Sequence, residues 1–238
     1  MEWPVVDPGE LAWIDAEAMR EIDRLMVDEV GIVLLQMMEN AGRSLAAVVR
    51  REVEPSAVLV LAGPGGNGGG GLVAARHLAN AGIDVLVVLS ADRGRFGEVP
   101  AHQLGIIDRL GVDVVESDDA RQVEVGRADA VVDAMVGYSL RGELRGPAAS
   151  LADSVNAGGA HVVSLDVPSG LPADGGAVGL VVDAAATVTL CLPKIGLRGR
   201  REVGRLFVAD ISVPASIVAA VTDDLAPPFD RGPILSIG

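Results

Sequence analysis

The sequence predicts an α/β domain: a three-layer α/β/α sandwich around a mostly parallel sheet, preceded by N-terminal helices. Three observations carry this. Short runs such as AVLVLA (57–62) and DVLVVL (84–89) are almost wholly Val, Leu and Ala. They lack the polar alternation of a strand with one wet face, so they read as strands covered on both sides. Amphipathic stretches alternate with these runs, which is the order of right-handed parallel crossovers. Finally, 238 residues, half of them hydrophobic, suffice for one such domain with a sizeable core.

The elements follow in order. Residues 14–52 read as helical, because Met19, Ile22, Leu25 and Met26 recur at helical spacing, as do Leu34, Leu35, Met38 and Ala41. Asp15 is the expected N-cap, and Gly31 divides the segment into two helices. Strands are expected at 57–62, 84–89, 112–116, 130–135, 162–167, 187–192 and 206–210. Helices are expected at 71–81, 101–110 and 147–157. A single domain over 1–222 is expected, followed by a loosely held tail over 223–238 that carries Pro227-Pro228 and Gly232-Pro233.

Composition narrows the function. A formal charge of −14 argues against nucleic acid or an anionic membrane as the main partner, since both need clustered Lys and Arg. Aromatic residues make up 3% of the chain, too few for base-stacking platforms. No apolar run reaches the ~18–20 residues of a membrane span, and the acidic N-terminal stretch lacks the basic and apolar regions of a signal peptide. The lone Cys191 sits in an apolar run, where it reads as a small buried hydrophobe. With no disulfide framework, the cytoplasm is the expected compartment.

Three features fall at strand ends on the carboxyl edge, where ligands bind in such folds. The first is the stretch GPGGNGGGG, with seven glycines between Gly63 and Gly71. It is suited to close backbone approach and to a phosphate at a helix N-terminus. As a GxGxxG it is a poor dinucleotide fingerprint, because four consecutive glycines follow Asn67 and the acidic residue after the next strand, Asp92, comes late. The second feature is Asp133, which interrupts an apolar strand. The third is Asp166, followed by Val167-Pro168-Ser169-Gly170, a turn that would aim its carboxylate. Lys194, the only lysine, follows Pro193 at another strand end. His77 and His161 read as packing or capping residues. Met19, Met26, Met37 and Met38 read as helix core or dimer surface.

The glycine stretch resembles the GxGNNGGDG loop of the NAD(P)H-hydrate epimerase family, the YjeF N-terminal domain type. Four more segments resemble that family in order: Met38-Glu39-Asn40-Ala41-Gly42-Arg43, the GLVAARHL run from Gly71 to Leu78, Asp133-Ala134-Met135-Val136-Gly137, and Leu165-Asp166-Val167-Pro168-Ser169-Gly170. Leu192-Pro193-Lys194-Ile195-Gly196 matches a fifth motif, and the resemblance spans roughly residues 14–214. It implies a Rossmann-like domain, often homodimeric, that interconverts the R and S forms of hydrated NADH and NADPH. A dehydratase would be a separate partner protein.

By the same resemblance Asn67, Asp133 and Ser169 would bind K⁺, whose preference for hard oxygen donors suits an amide, a carboxylate and a hydroxyl. Asp166 would be the acid/base group at the damaged ring. Gly66, Asn67, Gly68, Gly69 and Gly70 would contact the substrate, together with Gly137, Tyr138, Ser139, Leu140, Arg141, Gly142 and Glu143. The loop departs from the family where Gly66 replaces an Asn and Gly70 an Asp, and Gly137-Tyr138-Ser139 replaces GTG. The departure leaves two readings: a working epimerase, or a diverged nucleotide-binding or scaffold protein that does not catalyse. An RNA-associated module on this fold is disfavoured by the charge. The missing Asp is expected in the first turn of the helix after the loop, so Gly70→Asp should weaken binding of phosphate-bearing ligands.

Overall fold

The computed structural model describes residues 2–116, 125–176, 179–222 and 227–238. Nine strands among these form one sheet: β1 (Val5–Val6), β2 (Ala57–Ala62), β3 (Asp84–Leu89), β4 (Asp113–Val115), β5 (Ala130–Ala134), β6 (His161–Leu165), β7 (Ala186–Leu190), β8 (Arg205–Ala209) and β9 (Ile234–Ile237). Their order is β1-β9-β8-β7-β6-β5-β2-β3-β4. The seven strands from β2 to β8 are mutually parallel, and β9 runs antiparallel to β8.

The predicted two-faced burial of the strands is what the side chains show. Val58, Val60 and Ala62 face one core with Val132, Ala134 and Leu165. That core lies under α2 (Leu34–Glu52), α3 (Gly66–Asn80) and α4 (Glu98–Leu110). The alternate residues Leu59, Leu61 and Val131 face the other core with α5 (Gly146–Gly158). A smaller cluster of Met19, Ile22, Met26, Met37 and Leu192 joins α1 (Ala16–Leu25) to the end of β7. Each fully buried side chain of that size contributes about 1.5–3 kcal/mol. Asp15 caps α1 as expected, its Oδ1 accepting from Ala18 N at 2.8 Å. No described helix is long and apolar enough to cross a membrane.

Two readings need correction. Of the segment read as a loose tail, 223–226 lies outside the described residues, but Ile234–Ile237 is a buried strand that pairs with both β8 and β1. The prolines before it fall in the turn into the strand and leave the ladder intact. The short apolar run ILSI was masked by its polar and Pro-rich surroundings. The segment 215–222 also forms a helix, α6, which packs on α1.

The second correction concerns the glycine stretch, which is mostly helix. α3 begins at Gly66, five residues earlier than expected. Glycine is a poor helix former by about 1 kcal/mol, so packing must override propensity here. A Cβ at Gly68 would stand 1.8 Å from Gly63 O, and one at Gly71 would stand 2.5 Å from Ala134 Cβ. Both sites therefore admit only glycine, so that α3 can lie directly on the loop and on β5. The facing helix follows the same logic: a Cβ at Gly42 would stand 2.5 Å from Gly70 O. Glu39 on α2 takes Arg76 and also His77, whose Nε2 lies 2.8 Å from Glu39 Oε1. The two helical motifs are thus halves of one packing interface, which bears out the packing role expected of His77.

Candidate functional site

Chain order reverses around β2, which has β3 on one side and the later β5 on the other. At such a switch point the loops leaving the two strands diverge and open a crevice. In this crevice lies a pocket of about 280 Å³. Gly66, Asn67 and Gly70 line it from α3, with Gly137, Tyr138 and Ser139 from the loop after β5 and Asp166 from the end of β6. Apolar walls come from Met19 on α1, Leu34, Met37 and Met38 on α2, and Leu165, Leu190 and Ile211.

Asp166 is 2% exposed and has φ +68°. Val167 N donates to Leu165 O at 2.9 Å, closing a three-residue γ-turn around it. Positive φ is uncommon outside glycine, though Asp adopts it more readily than most residues, and this form of γ-turn is rare and strained. The turn sends the Asp166 side chain into the pocket. The next strand ends in the same way: Cys191 has φ +63°, and Leu192 N donates to Leu190 O at 2.7 Å. That second turn brings Lys194 back beneath the first.

Lys194 is fully buried, and its Nζ lies 2.6 Å from Asp166 Oδ1. It also donates to Leu190 O at 2.8 Å. Asp166 Oδ2 accepts from Tyr138 N at 2.8 Å. The carboxylate is thus held by one cation and one backbone donor, with a face toward the pocket. Lys194, singled out above as the only lysine, proves to be the ion-pair partner of Asp166.

Asp133 is also fully buried, but does not line the pocket. Its Oδ2 accepts from Ser164 Oγ at 2.8 Å and Ser169 N at 2.8 Å, and its Oδ1 from Ser169 Oγ at 2.6 Å. Burial pushes its carboxyl above the usual range, and these hydrogen bonds partly offset the push. Ser169 Oγ has a second acceptor, Val136 O at 3.3 Å, and itself accepts from Val136 N at 2.9 Å. Asn67 lies near by: the Cβ that Gly137 lacks would stand 3.1 Å from Asn67 Oδ1 and 2.9 Å from Asp166 Oδ2. Its Nδ2 is buried without a hydrogen-bond partner.

The structure therefore brings Asn67, Gly66, Gly70, Gly137, Tyr138, Ser139 and Asp166 to one pocket, with Asp133 and Ser169 paired behind it. It does not bring all the predicted contacts there. Gly68 and Gly69 are buried in helix packing, where a Cβ at Gly69 would stand 2.5 Å from Met38 Sδ. Leu140 packs on the α5-side core, and Arg141, Gly142 and Glu143 are exposed outside the pocket lining. Gly70 is the fifth residue of α3, not a first-turn residue, and a Cβ there would meet Leu165 Cδ2 at 2.7 Å.

The sequence reading missed one pocket residue of chemical weight. Asp23, on α1, lines the pocket and accepts from Tyr138 Oη at 2.7 Å. Its signal was an acidic residue one position beyond the buried Ile22, close to the apolar stripe. Burial raises the Asp23 carboxyl above its ordinary range, opposed by the Tyr138 hydrogen bond and the Lys194 charge. Tyr138 is likewise raised, by burial first and then by Asp23. Burial pushes the Cys191 thiol up to about 12, so it is no nucleophile at neutral pH.

Known proteins resemble this chain in sequence and fold. The family model for the YjeF-related protein N-terminus matches residues 34–196, from the start of α2 to just past Lys194. The chain belongs to the YjeF-related N-terminal domain family. A relative from Dehalogenimonas lykanthroporepellens, called NAD(P)H-hydrate epimerase, is 46% identical over 86% of this chain and 83% of its own length. A bifunctional NAD(P)H-hydrate repair enzyme from Salinibacter ruber is 37% identical over 86% of this chain, but over only 41% of its own length. Among solved structures, a yeast protein superimposes with a TM-score of 0.84 at 27% identity, covering 95% of this chain and all of that one. In this chain the glycine stretch is a helix start packed on the sheet, and not a dehydrogenase fingerprint.

Proposed function

We propose that this chain is an NAD(P)H-hydrate epimerase, interconverting the R and S forms of NADH and NADPH that carry water at C6 of the nicotinamide ring. The observation that carries the reading is the Asp166–Lys194 pair, aimed by two successive γ-turns into an apolar-walled pocket at the switch point. Relatives bearing that activity in their names match most of the chain. The ordered Asp166 and Lys194 favour this over a non-catalytic scaffold.

Inverting C6 requires the hydroxyl to leave and a water to return on the other face. Asp166 is an acid/base group for this exchange. Lys194 and the Tyr138 N–H fix its direction and balance its charge in a site largely shielded from water. A pocket of about 280 Å³ encloses the nicotinamide end rather than a whole dinucleotide. The phosphates then lie toward the N-terminus of α3, whose first N–H groups have no partner within the helix. Arg141, exposed beyond the pocket, would approach them from outside.

Asn67, Asp133 and Ser169 fit a potassium ion. Asp133 is buried and hydrogen-bonded only to hydroxyl and backbone N–H donors. Ser169 can turn its hydroxyl to Val136 O and release a carboxylate oxygen. The unpartnered end of the Asn67 amide becomes an oxygen ligand if the amide is flipped. Such an ion would supply positive charge that ties the loops after β2, β5 and β6 together. The remaining expectations join this reading: a homodimer, a cytoplasmic setting, and a separate dehydratase acting on the same hydrates.

The test follows separated S and R hydrates by chromatography, with and without K⁺. Interconversion faster than the spontaneous rate, lost in Asp166→Ala, is the expected result. An unaccelerated reaction with substrate bound would return the chain to a binding role.

A further inference from the structure

Inverting a carbon through a planar intermediate needs proton chemistry on two faces. One leaving oxygen must be protonated, and one entering water must lose a proton. Asp166 supplies a single carboxylate, and Lys194 is committed to it. The pocket holds a second carboxylate, Asp23, carried by α1 and not by the strand ends. Tyr138 spans the two: its N–H donates to Asp166 Oδ2 at 2.8 Å and its phenol to Asp23 Oδ2 at 2.7 Å. The two carboxylates thus stand one tyrosine apart in the same pocket.

We propose that Asp23 is a second catalytic residue, a general acid that protonates the departing C6 oxygen while Asp166 deprotonates the water arriving on the opposite face. The inference rests on the epimerase reading above and deepens it. The C6–O bond breaks as the Asp23 proton passes to that oxygen, which leaves as water. The N1 lone pair forms the C6–N1 double bond. A water then bonds to the other face, its electron pair displacing the double bond back onto N1, and its proton goes to Asp166. The exchange needs no oxidant or reductant, and the next turnover in the reverse sense, or solvent, returns the proton.

The surroundings of the two groups support this division. Acid and base roles separate where environments push two titratable groups apart. A lysine faces Asp166 at 2.6 Å, whereas Asp23 shares a pocket walled by Met19, Met37 and Ile211, and burial favours its neutral form. The charged and titratable groups around Asp23 are Tyr138, Asp166, and Lys194 and Cys191 after β7, and Arg20 on its own helix acts on Tyr138. Of these, Tyr138 and Lys194 favour the ionised form and Asp166 opposes it.

The test measures hydrate interconversion across pH for the wild type, Asp23→Asn and Tyr138→Phe, with folding verified by circular dichroism. A general acid must be protonated to act, so the wild-type rate falls as pH rises through the Asp23 titration. Asp23→Asn should lower kcat about 10²-fold or more with little change in KM, and should abolish that alkaline fall. Tyr138→Phe keeps the backbone N–H to Asp166 but removes the hydrogen bond that stabilises ionised Asp23. Its alkaline fall should therefore move to higher pH, and this result decides the matter if Asp23→Asn does not fold. An Asp23→Asn rate within about threefold of wild type, or an alkaline fall unmoved in Tyr138→Phe, would overturn the proposal. A wild-type chain that fails to speed interconversion removes instead the epimerase reading beneath it.

Discussion

Two neighbouring strands end in buried carboxylates, and the chain treats them in opposite ways. Asp133, in β5, keeps regular strand geometry and is surrounded by hydroxyl and backbone N–H donors. Asp166, just past β6, sits at positive φ, faces a pocket and is paired with a buried lysine. The first is hydrogen-bonded behind the loops; the second is strained, in contact with Lys194 and open on one side. A buried carboxylate is costly in either setting. The two differ in whether the remaining face meets a cavity, and Asp166, whose face does, is the one proposed to react.

The largest effects should come from breaking the Asp166 side. Lys194→Met leaves a buried carboxylate without its cation and should cost about 3–5 kcal/mol in urea unfolding, with activity lost. Asp166→Asn should lower the interconversion rate by about 10²–10⁴-fold. The double variant should regain most of the stability and none of the activity, which separates the two roles of the pair.

The Asp133 side should respond mainly in stability. Asp133→Asn disturbs a set of four short and long hydrogen bonds and should cost about 1–3 kcal/mol. Its pH dependence has a definite sign. The folded-state carboxyl is raised above 3.8, so ionisation at neutral pH works against folding, and the penalty is relieved as pH falls through the folded value toward the unfolded one. Wild type should therefore gain on Asp133→Asn as pH drops from 7 toward about 4, as measured by paired thermal melts. Replacing K⁺ by Li⁺ should lower the wild-type melting temperature and leave that of Asp133→Asn unchanged.

The smallest effect concerns the altered loop. Gly70→Asp would place a charge in the second turn of α3, beyond the strongest part of the helix dipole, with Leu165 forced aside. Repulsion of a ligand phosphate then amounts to about 1 kcal/mol, so NADP⁺ should bind about fivefold more weakly on titration. Equal or tighter binding would show that the phosphate lies elsewhere.

Much of this was legible in the chain. Asp133 and Asp166 stand out because a carboxylate at the end of an apolar strand breaks its pattern, and Lys194 because it has no other lysine for company. Asp23 was not legible, since an acidic residue beside the apolar stripe of a helix looks like an ordinary solvated position. Only the packing of α1 beside the end of β7, with Tyr138 from the loop after β5, turns it inward. The glycine stretch misled for a related reason. Glycine argues locally for a loop, whereas here Gly68 and Gly71 are required by atoms of Gly63 and Ala134.

By itself, then, the sequence determined the order of strands and helices between residues 57 and 210, the central parallel sheet and the strand-end residues, because these follow from local periodicity and from the general rule that such sheets bind at their carboxyl edge. Only the tertiary structure decided where α3 begins, that Ile234–Ile237 closes the sheet edge, that Lys194 meets Asp166, and that Asp23 reaches the same pocket through Tyr138. Those outcomes depend on contacts between residues far apart in the chain, and a close approach or an ion pair leaves no periodic trace in either partner's own neighbourhood.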